Sequence, residues 1–422
     1  MKRTSAKISK PDSPRDGAES DTRPRTPRAR FTFHGNVRDT RYGWLRLTPA
    51  YSVHLVRELL ESRSLPELPV LDPFCGTGTT QLTCAELGIP CATLDVNPFL
   101  VWLARAKTAK YSDKSRARAD ALITDMSRAA LARGNAPWLP ALHQIEKWWG
   151  KPALHALGRA FSVLQQTDDD EAARDLAKLA FCRSLITCAN VSFGHQSMSF
   201  ARGERSTPSA RQVSLALREA FTPIVKAAAL ALPNSPRRVH LGDARSVAKH
   251  LGKARFGAVI SSPPYANRMS YVRELRPYMY WLGYLERASD AGELDWQAIG
   301  GTWGSATSRV AVWQSTQKSP LRELDAITAR IARHSDVLSR YVAKYFVDML
   351  AHVESLSTLV ARGGEVHYVV GNSKFFDVVL PVERIFAEIF ELCGFHRAKV
   401  ATLRKRTSKP ELYEFLVSAT KR

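Results

Sequence analysis

Short apolar segments alternate along the chain with helical patterns of apolar and polar positions. Four of the apolar segments have the length of buried strands: residues 68–71, 91–94, 239–241 and 257–260. Between the first two, residues 79–87 predict a helix that Gly88 ends. An earlier amphipathic helix is predicted to begin at Thr48, as its N-cap, and Pro49. The pattern therefore predicts a helix followed by the first part of a βαβ unit.

Strands and helices are predicted to alternate in the C-terminal part as well. Helices at roughly 341–361 and 381–392 flank a strand at 365–370, and a pair of strands at 399–403 and 413–417 closes the chain. Strands that alternate with helices favour an open parallel α/β sheet, here with an antiparallel final pair.

The charge balance is strongly basic. The chain carries 61 Lys and Arg residues against 40 Asp and Glu, a net charge of +21 at pH 7, and its pI is about 9.9. Such an excess favours nucleic acid as a partner, because neutralised phosphates release condensed counterions. Part of the excess lies in residues 1–30, which predict a flexible basic arm since they hold almost no large apolar side chains. The remainder is spread through the body of the chain.

The composition is that of a globular protein without membrane or secretion signals. Apolar residues make up 45% of the chain and charged residues 24%. No apolar run approaches the length of a membrane span, and the first residues lead into no signal-peptide core, so we expect a cytoplasmic protein. The six cysteines show neither CxxC spacing nor paired histidines. Neither a disulfide framework nor a metal site is therefore expected.

A glycine-rich string follows the first predicted strand at residues 72–80, which read Asp-Pro-Phe-Cys-Gly-Thr-Gly-Thr-Thr. Gly76 and Gly78 suit a tight strand-to-helix turn whose backbone N–H groups approach a carboxylate or phosphate. The string lacks the lysine of a P-loop and departs from the dinucleotide fingerprint GxGxxG. It therefore indicates a cofactor loop of another kind. The alternative is a glycine-rich turn without a ligand.

Two aspartates follow the next predicted strands. Asp95 ends the second strand, where a carboxylate can accept hydrogen bonds from both hydroxyls of a ribose. Asp243 follows the third strand and can accept a hydrogen bond from an adenine amino group. Each also has a simpler interpretation, as a capping or turn residue.

A second string, Ser-Pro-Pro-Tyr, follows the fourth strand at residues 262–265. An exocyclic amine on an aromatic base is a poor nucleophile because its lone pair is delocalised, so hydrogen-bond acceptors and orientation toward an electrophile must activate it. Ser262 Oγ and the Pro263 carbonyl can be those acceptors. Pro264 stiffens the loop and removes a donor, and Tyr265 offers a face for stacking a flipped base. The alternative is a proline-stiffened structural turn.

Together the two strings resemble the cofactor and catalytic loops of bacterial DNA amino-methyltransferases, which modify N4 of cytosine or N6 of adenine. The resemblance implies a Rossmann-like methyltransferase sheet with a mainly helical insertion and S-adenosylmethionine as the cofactor. The cofactor-binding residues that it implies are Thr48, Asp72, Phe74, Gly76, Gly78, Thr79, Asp95 and Asp243.

The Ser-Pro-Pro-Tyr form of the catalytic loop is typical of N4-cytosine enzymes. The resemblance thus predicts a site-specific methyltransferase that transfers a methyl group in line to a flipped cytosine of double-stranded DNA. Restriction–modification or host defence is the expected role, with a cognate restriction endonuclease as a candidate partner. N6-adenine methylation on the same scaffold stays an alternative. So do an RNA or protein amino-methyltransferase and a non-catalytic DNA-binding module.

These motifs divide the chain into six predicted segments. They are the basic arm at 1–30, the cofactor-binding half of the catalytic domain at 31–111, a helical insertion at 112–235, the catalytic-loop half at 236–285, an irregular and helical insertion at 286–338, and the C-terminal part of the sheet at 339–422. The insertions are the candidates for target recognition and DNA contact.

Several residues near the motifs have an expected role of their own. The adjacent tryptophans 148–149 are expected in the core. Tyr271 is the best candidate for a further wall of the base pocket, and Arg268 and Arg273 are candidate phosphate contacts.

Overall fold

The computed structural model of the protein covers the two motifs and the segments between them. The residues that it describes are 36, 40–45, 47, 50–134, 136–167, 169–192, 199–200, 207–302, 304–315, 319–406 and 410–422. The predicted basic arm at 1–30 and the predicted N-cap Thr48 lie outside the described residues.

Most of the strands in the described part of the chain join one sheet. The strands are β1 (Val70–Asp72), β2 (Cys91–Asp95), β3 (Val191–Ser192), β4 (Ser199–Phe200), β5 (Arg237–Leu241), β6 (Phe256–Ser261), β7 (Val360–Gly371), β8 (Ser373–Phe375), β9 (Val378–Leu380), β10 (Phe395–Lys405) and β11 (Tyr413–Lys421). The seven-stranded sheet has the order β10-β11-β7-β6-β1-β2-β5, while β3 pairs with β4 and β8 with β9.

All neighbours in this sheet are parallel except β11, which pairs antiparallel with both β7 and β10. From β1 the chain first adds β2 and β5 on one side and then adds β6 on the other. Open α/β sheets bind ligands outside the carboxyl ends of their strands at such a switch point. The predicted α/β sheet with an antiparallel final pair is confirmed.

Helices cover both faces of the sheet and form the insertions. They are α1 (Val53–Glu61), α2 (Thr79–Glu86), α3 (Pro98–Thr108), α4 (Asp113–Leu131), α5 (Ile145–Trp148), α6 (Lys151–Gln166), α7 (Glu171–Thr187), α8 (Ala210–Ala228), α9 (Val247–Leu251), α10 (Tyr271–Trp281), α11 (Ala288–Gln297), α12 (Ser305–Val312), α13 (Leu324–Ala332), α14 (Asp336–Ser357) and α15 (Val382–Leu392). The expected mainly helical insertion is therefore present.

The predicted start of the first helix is wrong. Helix α1 begins at Val53, and the side chain of Ser52 caps it by accepting a hydrogen bond from the Leu55 N–H at 3.4 Å. A serine directly before the apolar repeat is a sufficient N-cap, because its oxygen satisfies an N–H group that has no partner within the helix.

The helical insertion shares a hydrophobic core with helix α10 of the catalytic half. The ring centroid of Trp281, at the end of α10, lies 5.9 Å from that of Trp149 and 5.4 Å from that of Phe181. Both tryptophans of the adjacent pair, Trp148 and Trp149, are buried, as expected, and Trp149 Nε1 donates to the Leu185 carbonyl at 2.8 Å. The insertion is thus packed onto the helix that follows the Ser-Pro-Pro-Tyr loop.

A single buried arginine ties the end of this insertion to the cofactor half. The Arg41 guanidinium donates to the carbonyls of Lys107 and Ala109 at the end of α3, at 3.0 and 2.6 Å. It also donates to the carbonyls at the end of α8, those of Ala227, Ala228 and Leu230, at 3.3, 3.2 and 3.0 Å. Burial lowers the pKa of Arg41 to about 10. Arg41 thus connects the ends of α3 and α8 through hydrogen bonds to five backbone carbonyls.

Among the residues that the structure describes, no helix is long and apolar enough to span a membrane.

Candidate active site

A cavity of about 260 Å³ opens at the carboxyl ends of β1, β2 and β6. The glycine-rich loop supplies Phe74, Gly76 and Thr79 to its wall, and the end of β2 supplies Asp95. Ser262 and Tyr265 line the same cavity. The sheet therefore brings the two sequence motifs, nearly two hundred residues apart, into one site.

The glycine-rich loop is shaped by two left-handed backbone conformations. The φ angles of Gly76 and Gly78 are 51° and 76°, values that a side chain disfavours. A Cβ at Gly78 would lie 3.2 Å from the Ala104 Cβ, so α3 also approaches the loop closely there. Gly78 itself does not line the cavity, and its N–H donates to the Cys75 carbonyl at 2.8 Å. The two glycines thus set the turn that leads from β1 into α2.

Asp95 lines the cavity beside the glycine-rich loop. Its Oδ2 accepts a hydrogen bond from the Gly76 N–H at 2.8 Å, and its Oδ1 accepts one from the Asn97 N–H at 2.9 Å. Burial raises the pKa of Asp95 to about 6, while these backbone N–H groups oppose the shift. Each carboxylate oxygen keeps a further lone pair. The residue therefore has capacity for hydrogen bonds from two hydroxyl groups, and its role toward a ribose stays a prediction.

Asp72 lies beneath the loop and does not line the cavity. Its Oδ1 accepts hydrogen bonds from the Phe74 N–H at 3.1 Å and from the Ser261 hydroxyl at 2.6 Å. Burial raises the pKa of Asp72 to about 7. Its contacts connect the glycine-rich loop to the end of β6, directly before Ser262. The structure therefore places Asp72 as a support between the two loops rather than on the cavity surface.

Phe74 packs against a buried histidine that the sequence analysis did not single out. The ring centroids of Phe74 and His352 are 4.8 Å apart. His352 Nδ1 lies 2.8 Å from the Ala244 carbonyl oxygen and its Nε2 lies 2.6 Å from the Tyr368 hydroxyl. Burial lowers the pKa of His352 to about 4, which keeps the ring neutral. No motif marks this residue, because its neighbours come from three separate elements.

Asp243 lines the cavity, but an arginine also engages its carboxylate. Arg245 Nε lies 3.1 and 2.9 Å from the two carboxylate oxygens of Asp243. The same guanidinium donates to Asp348 at 3.2 Å and to the Gln297 carbonyl at 2.9 Å. Arg245 thus joins Asp243 to the end of α11, where residues 297–299 close one side of the cavity. A role for Asp243 toward an adenine amino group stays a prediction.

The Ser-Pro-Pro-Tyr loop makes hydrogen bonds with two neighbouring elements, β7 and α14. Ser262 Oγ donates to the Val369 carbonyl of β7 at 3.1 Å, and the Tyr345 hydroxyl of α14 donates to the Pro264 carbonyl at 2.7 Å. Pro264 lines the cavity, whereas Pro263 is buried and does not. Of the two predicted acceptors, Ser262 lines the cavity and Pro263 does not, and an acceptor role for either stays a prediction.

The far wall of the cavity comes from the β10–β11 hairpin, which the sequence analysis did not include among the site residues. Arg404 of β10, Arg406 just after this strand and Glu414 of β11 line the cavity beside Tyr265. Arg404 holds both carboxylate oxygens of Glu414 at 2.6 and 2.7 Å. Tyr271, the expected additional wall residue, also lines the cavity. The hairpin residues could have been suspected only from their charge near a predicted strand end.

Residues directly before α1 also contribute to the cavity wall. Ala50 and Tyr51 line the cavity, and Tyr51 makes a hydrogen bond with Thr80 at the start of α2.

A buried lysine, Lys107, supports the glycine-rich loop by donating to the Thr77 carbonyl at 2.9 Å. Burial lowers the pKa of Lys107 to about 8. Among the described residues no cluster of three or more His, Cys, Asp or Glu side chains could hold a metal ion.

The chain is similar over most of its length to two Type II methyltransferases. It is 20% identical over 408 residues to Type II methyltransferase M.AvaI of Nostoc sp.. This alignment covers 88% of this chain and 82% of that protein. It is 21% identical over 427 residues to Type II methyltransferase M.BsoBI of Geobacillus stearothermophilus, covering 89% and 82%.

Two further similarities are more limited. A stretch of 42 residues, 10% of this chain, is 43% identical to Type II methyltransferase M.MjaII of Methanocaldococcus jannaschii and covers 8% of it. The solved rRNA methyltransferase aviRa from Streptomyces viridochromogenes aligns with a TM-score of only 0.27 at 13% identity, over 88% of this chain and 86% of that one. No family model matches the chain.

Proposed function

We propose that this protein is an S-adenosylmethionine-dependent DNA methyltransferase that methylates N4 of cytosine in duplex DNA. One observation carries the proposal: a single cavity joins the glycine-rich loop and Asp95 to Ser262 and Tyr265. A methyl donor on the first side and a flat, amino-bearing base on the second would meet inside it.

S-adenosylmethionine is the methyl donor that the methyltransferase relatives and the α/β sheet imply. When bound, it supplies an electrophilic methyl group on a sulfonium. The residues present fit this molecule, because Asp95 has lone pairs for ribose hydroxyls while Phe74 and Ile299 add apolar surface for its adenine. The backbone near Gly76 would lie against the methionine part.

Ser262 is suited to accept a hydrogen bond from the amine of the target base. A hydroxyl group has one proton and two lone pairs. Because the proton of Ser262 is donated to the Val369 carbonyl, its remaining capacity toward the cavity is that of an acceptor. An acceptor on an N–H bond of the amine increases electron density on nitrogen and orients its lone pair toward the methyl group. The transferred methyl group would exchange its bond to the sulfonium sulfur, which would be left as a neutral thioether, for a bond to the amine nitrogen. The methylated amine would then release this proton to water.

DNA as the substrate is supported by charge and by the relatives. The net charge of +21 favours a polyanion, and the similarity to Type II methyltransferases supports site-specific DNA methylation. A base inside a duplex cannot reach an enclosed cavity, so the target must be flipped out of the stack, with Tyr265 as the stacking surface. We further propose that the insertions at 112–235 and 286–338 contact the DNA around the target, in a restriction–modification or defence role.

Mass spectrometry of nucleosides tests the function directly. Mixed-sequence duplex DNA is incubated with the protein and methyl-labelled S-adenosylmethionine, then digested to nucleosides. We expect labelled N4-methylcytosine. Labelled N6-methyladenine would keep the reaction class and overturn the choice of base, whereas DNA without label in either nucleoside would contradict the proposed substrate.

A further inference from the structure

The aromatic ring of Tyr265 is tied to the β10–β11 hairpin through its hydroxyl group. The hydroxyl donates to Glu414 Oε1 at 3.3 Å, which is long for a bond to a carboxylate. Glu414 is itself fixed, since Arg404 donates to both of its carboxylate oxygens and only about an eighth of the Glu414 side chain is exposed. The hydroxyl end of the ring is therefore bound to the Glu414 carboxylate, whose orientation is fixed by Arg404.

One face of the same ring is covered by an arginine. The Arg406 guanidinium carbon lies over the Tyr265 ring, 5.5 Å from its centroid, at a distance that permits a cation–π interaction. Arg406 is buried, and its Nη1 donates to the Asn372 carbonyl at 3.0 Å. Because this face is occupied, a flipped base can stack only on the opposite face.

A glycine at the end of β7 makes room for the edge of the ring. A Cβ at Gly371 would lie 2.7 Å from Tyr265 Cε2 and 2.9 Å from Cδ2, closer than carbon atoms can approach without displacement. It would also lie 3.0 Å from Arg406 Nη1. Any side chain at this position must therefore move the ring, the guanidinium or both.

We propose that Glu414, Arg406 and Gly371 are positioning residues that together fix the ring of Tyr265, and that this clamp sets where the target base stacks relative to Ser262. The part concerning the base rests on the proposed function. The part concerning the ring does not, since it concerns contacts within the protein alone. The β10–β11 hairpin thereby acts on the substrate through Tyr265.

The kinetic test uses Glu414→Gln and Gly371→Ala, with Glu411→Gln as the matched control. Glu411 pairs with Lys374 at 2.7 Å just before β11, and it does not line the cavity. Misplacement of a reacting group by about 1 Å can cost on the order of 100-fold in rate. We therefore expect kcat on duplex DNA to fall by about tenfold or more in both variants, with unchanged affinity for S-adenosylmethionine, and no change in the control.

Combination with Tyr265→Phe separates positioning from a general structural effect. If Glu414 acts through the Tyr265 hydroxyl, its replacement should cost little further activity once that hydroxyl is absent, because coupled residues are non-additive. An equal loss from Glu414→Gln in both backgrounds would overturn the proposal.

A spectroscopic test decides the clamp without any activity. The 12 tyrosines are replaced by 3-fluorotyrosine, and the resonance of residue 265 is assigned as the one missing in Tyr265→Phe. In the DNA-free protein we expect Glu414→Gln and Gly371→Ala to shift or broaden this resonance, and Glu411→Gln to leave it unchanged. An unchanged resonance in the first two variants would overturn the clamp. If the resonance of residue 265 shifts in these two variants although the wild-type protein methylates no DNA, the clamp is supported. Only the proposed function would then be contradicted.

Discussion

The hydroxyl group of Ser262 donates a hydrogen bond to the backbone carbonyl of Val369 at 3.1 Å. This contact joins the catalytic loop after β6 to the neighbouring strand β7, and it commits the only proton of the hydroxyl. Ser262 therefore faces the cavity with lone pairs, which is the property that an amine acceptor needs.

Replacement of Ser262 by alanine should separate binding from chemistry. We expect Ser262→Ala to bind S-adenosylmethionine with nearly the wild-type affinity, because the cofactor loop is formed by other residues. Methyl transfer to DNA should fall by about 100-fold, on the scale of removing one preorganised hydrogen-bonding group. Single-turnover transfer of labelled methyl groups measures this. The exposed Ser62→Ala serves as a control, and wild-type transfer rates in Ser262→Ala would remove Ser262 from the mechanism.

Asp95 should control cofactor affinity and its pH dependence. Asp95→Ala is expected to abolish detectable binding of S-adenosylmethionine in calorimetry, while Asp377→Ala, at an exposed site, should bind normally. The Asp95 pKa of about 6 means that the carboxylate becomes protonated as the pH falls below about 6. Affinity for the ribose hydroxyls should then fall about tenfold per pH unit. Binding by Asp95→Ala at wild-type strength would contradict the assigned role.

Asp72 should make the protein less stable as the pH rises. Its pKa of about 7 lies above the ordinary value of 3.8, so the folded state holds this proton more tightly than the unfolded state. The stabilising contribution is present below about pH 4 and is lost as the pH rises through about 7. We compare the unfolding free energies of the wild type and of Asp72→Asn. The advantage of the wild type should fall by a few kcal/mol between about pH 4 and about pH 7.

Urea denaturation at several pH values measures that difference. Asparagine keeps an oxygen that can accept from the Phe74 N–H and the Ser261 hydroxyl, so the comparison isolates the titration. Parallel stability curves for the two proteins would show that Asp72 keeps an ordinary pKa.

Two exposed arginines beside the catalytic loop should contribute to DNA affinity through phosphates. Arg268 and Arg273 are both exposed, and Arg268 follows the Ser-Pro-Pro-Tyr loop closely. Removal of one phosphate contact lowers the slope of log affinity against log salt by about 1. For the double alanine variant, the slope of log affinity against log salt should therefore be smaller in magnitude by about 2. Fluorescence anisotropy titrations with duplex DNA of any sequence measure this slope. Arg322→Ala, paired with Glu388, is the control. An unchanged slope in the double variant would exclude both as phosphate contacts.

Arg41 should be required for stability rather than for catalysis. Its alanine variant removes a hydrogen-bond donor from five buried or partly buried backbone carbonyls. Loss of a buried charged donor costs about 3 kcal/mol or more, so we expect at least this fall in the unfolding free energy. Urea denaturation measures it, and the exposed Arg322→Ala should stay within about 0.5 kcal/mol of wild type. A similarly small change in Arg41→Ala would mean that other contacts hold α3 and α8 together.

Local signals predicted much of the sheet. Segment 91–94 lies within β2, and segments 257–260 and 365–370 lie within β6 and β7. These strands are apolar and bounded by turn residues, so the pattern is sufficient. The first strand was predicted to begin at residue 68 and begins at Val70. The first helix was predicted to begin at residue 48 and begins at Val53. The reason is that Pro69 and Thr48 suit such starts locally. In the structure the Val70 N–H donates to the Pro90 carbonyl, and Ser52 is the N-cap of α1.

By itself, the sequence determined the chemistry of the two loops. Glycine conformations, proline stiffness and the hydroxyl of Ser262 are properties of neighbouring residues, so they can be interpreted without the fold. Only the tertiary structure decided which distant residues support these loops. Tyr265 and Glu414 are 149 positions apart, and Arg41 and Ala227 are 186 apart. Their contacts depend on strand order and helix packing, which no local pattern of residues contains.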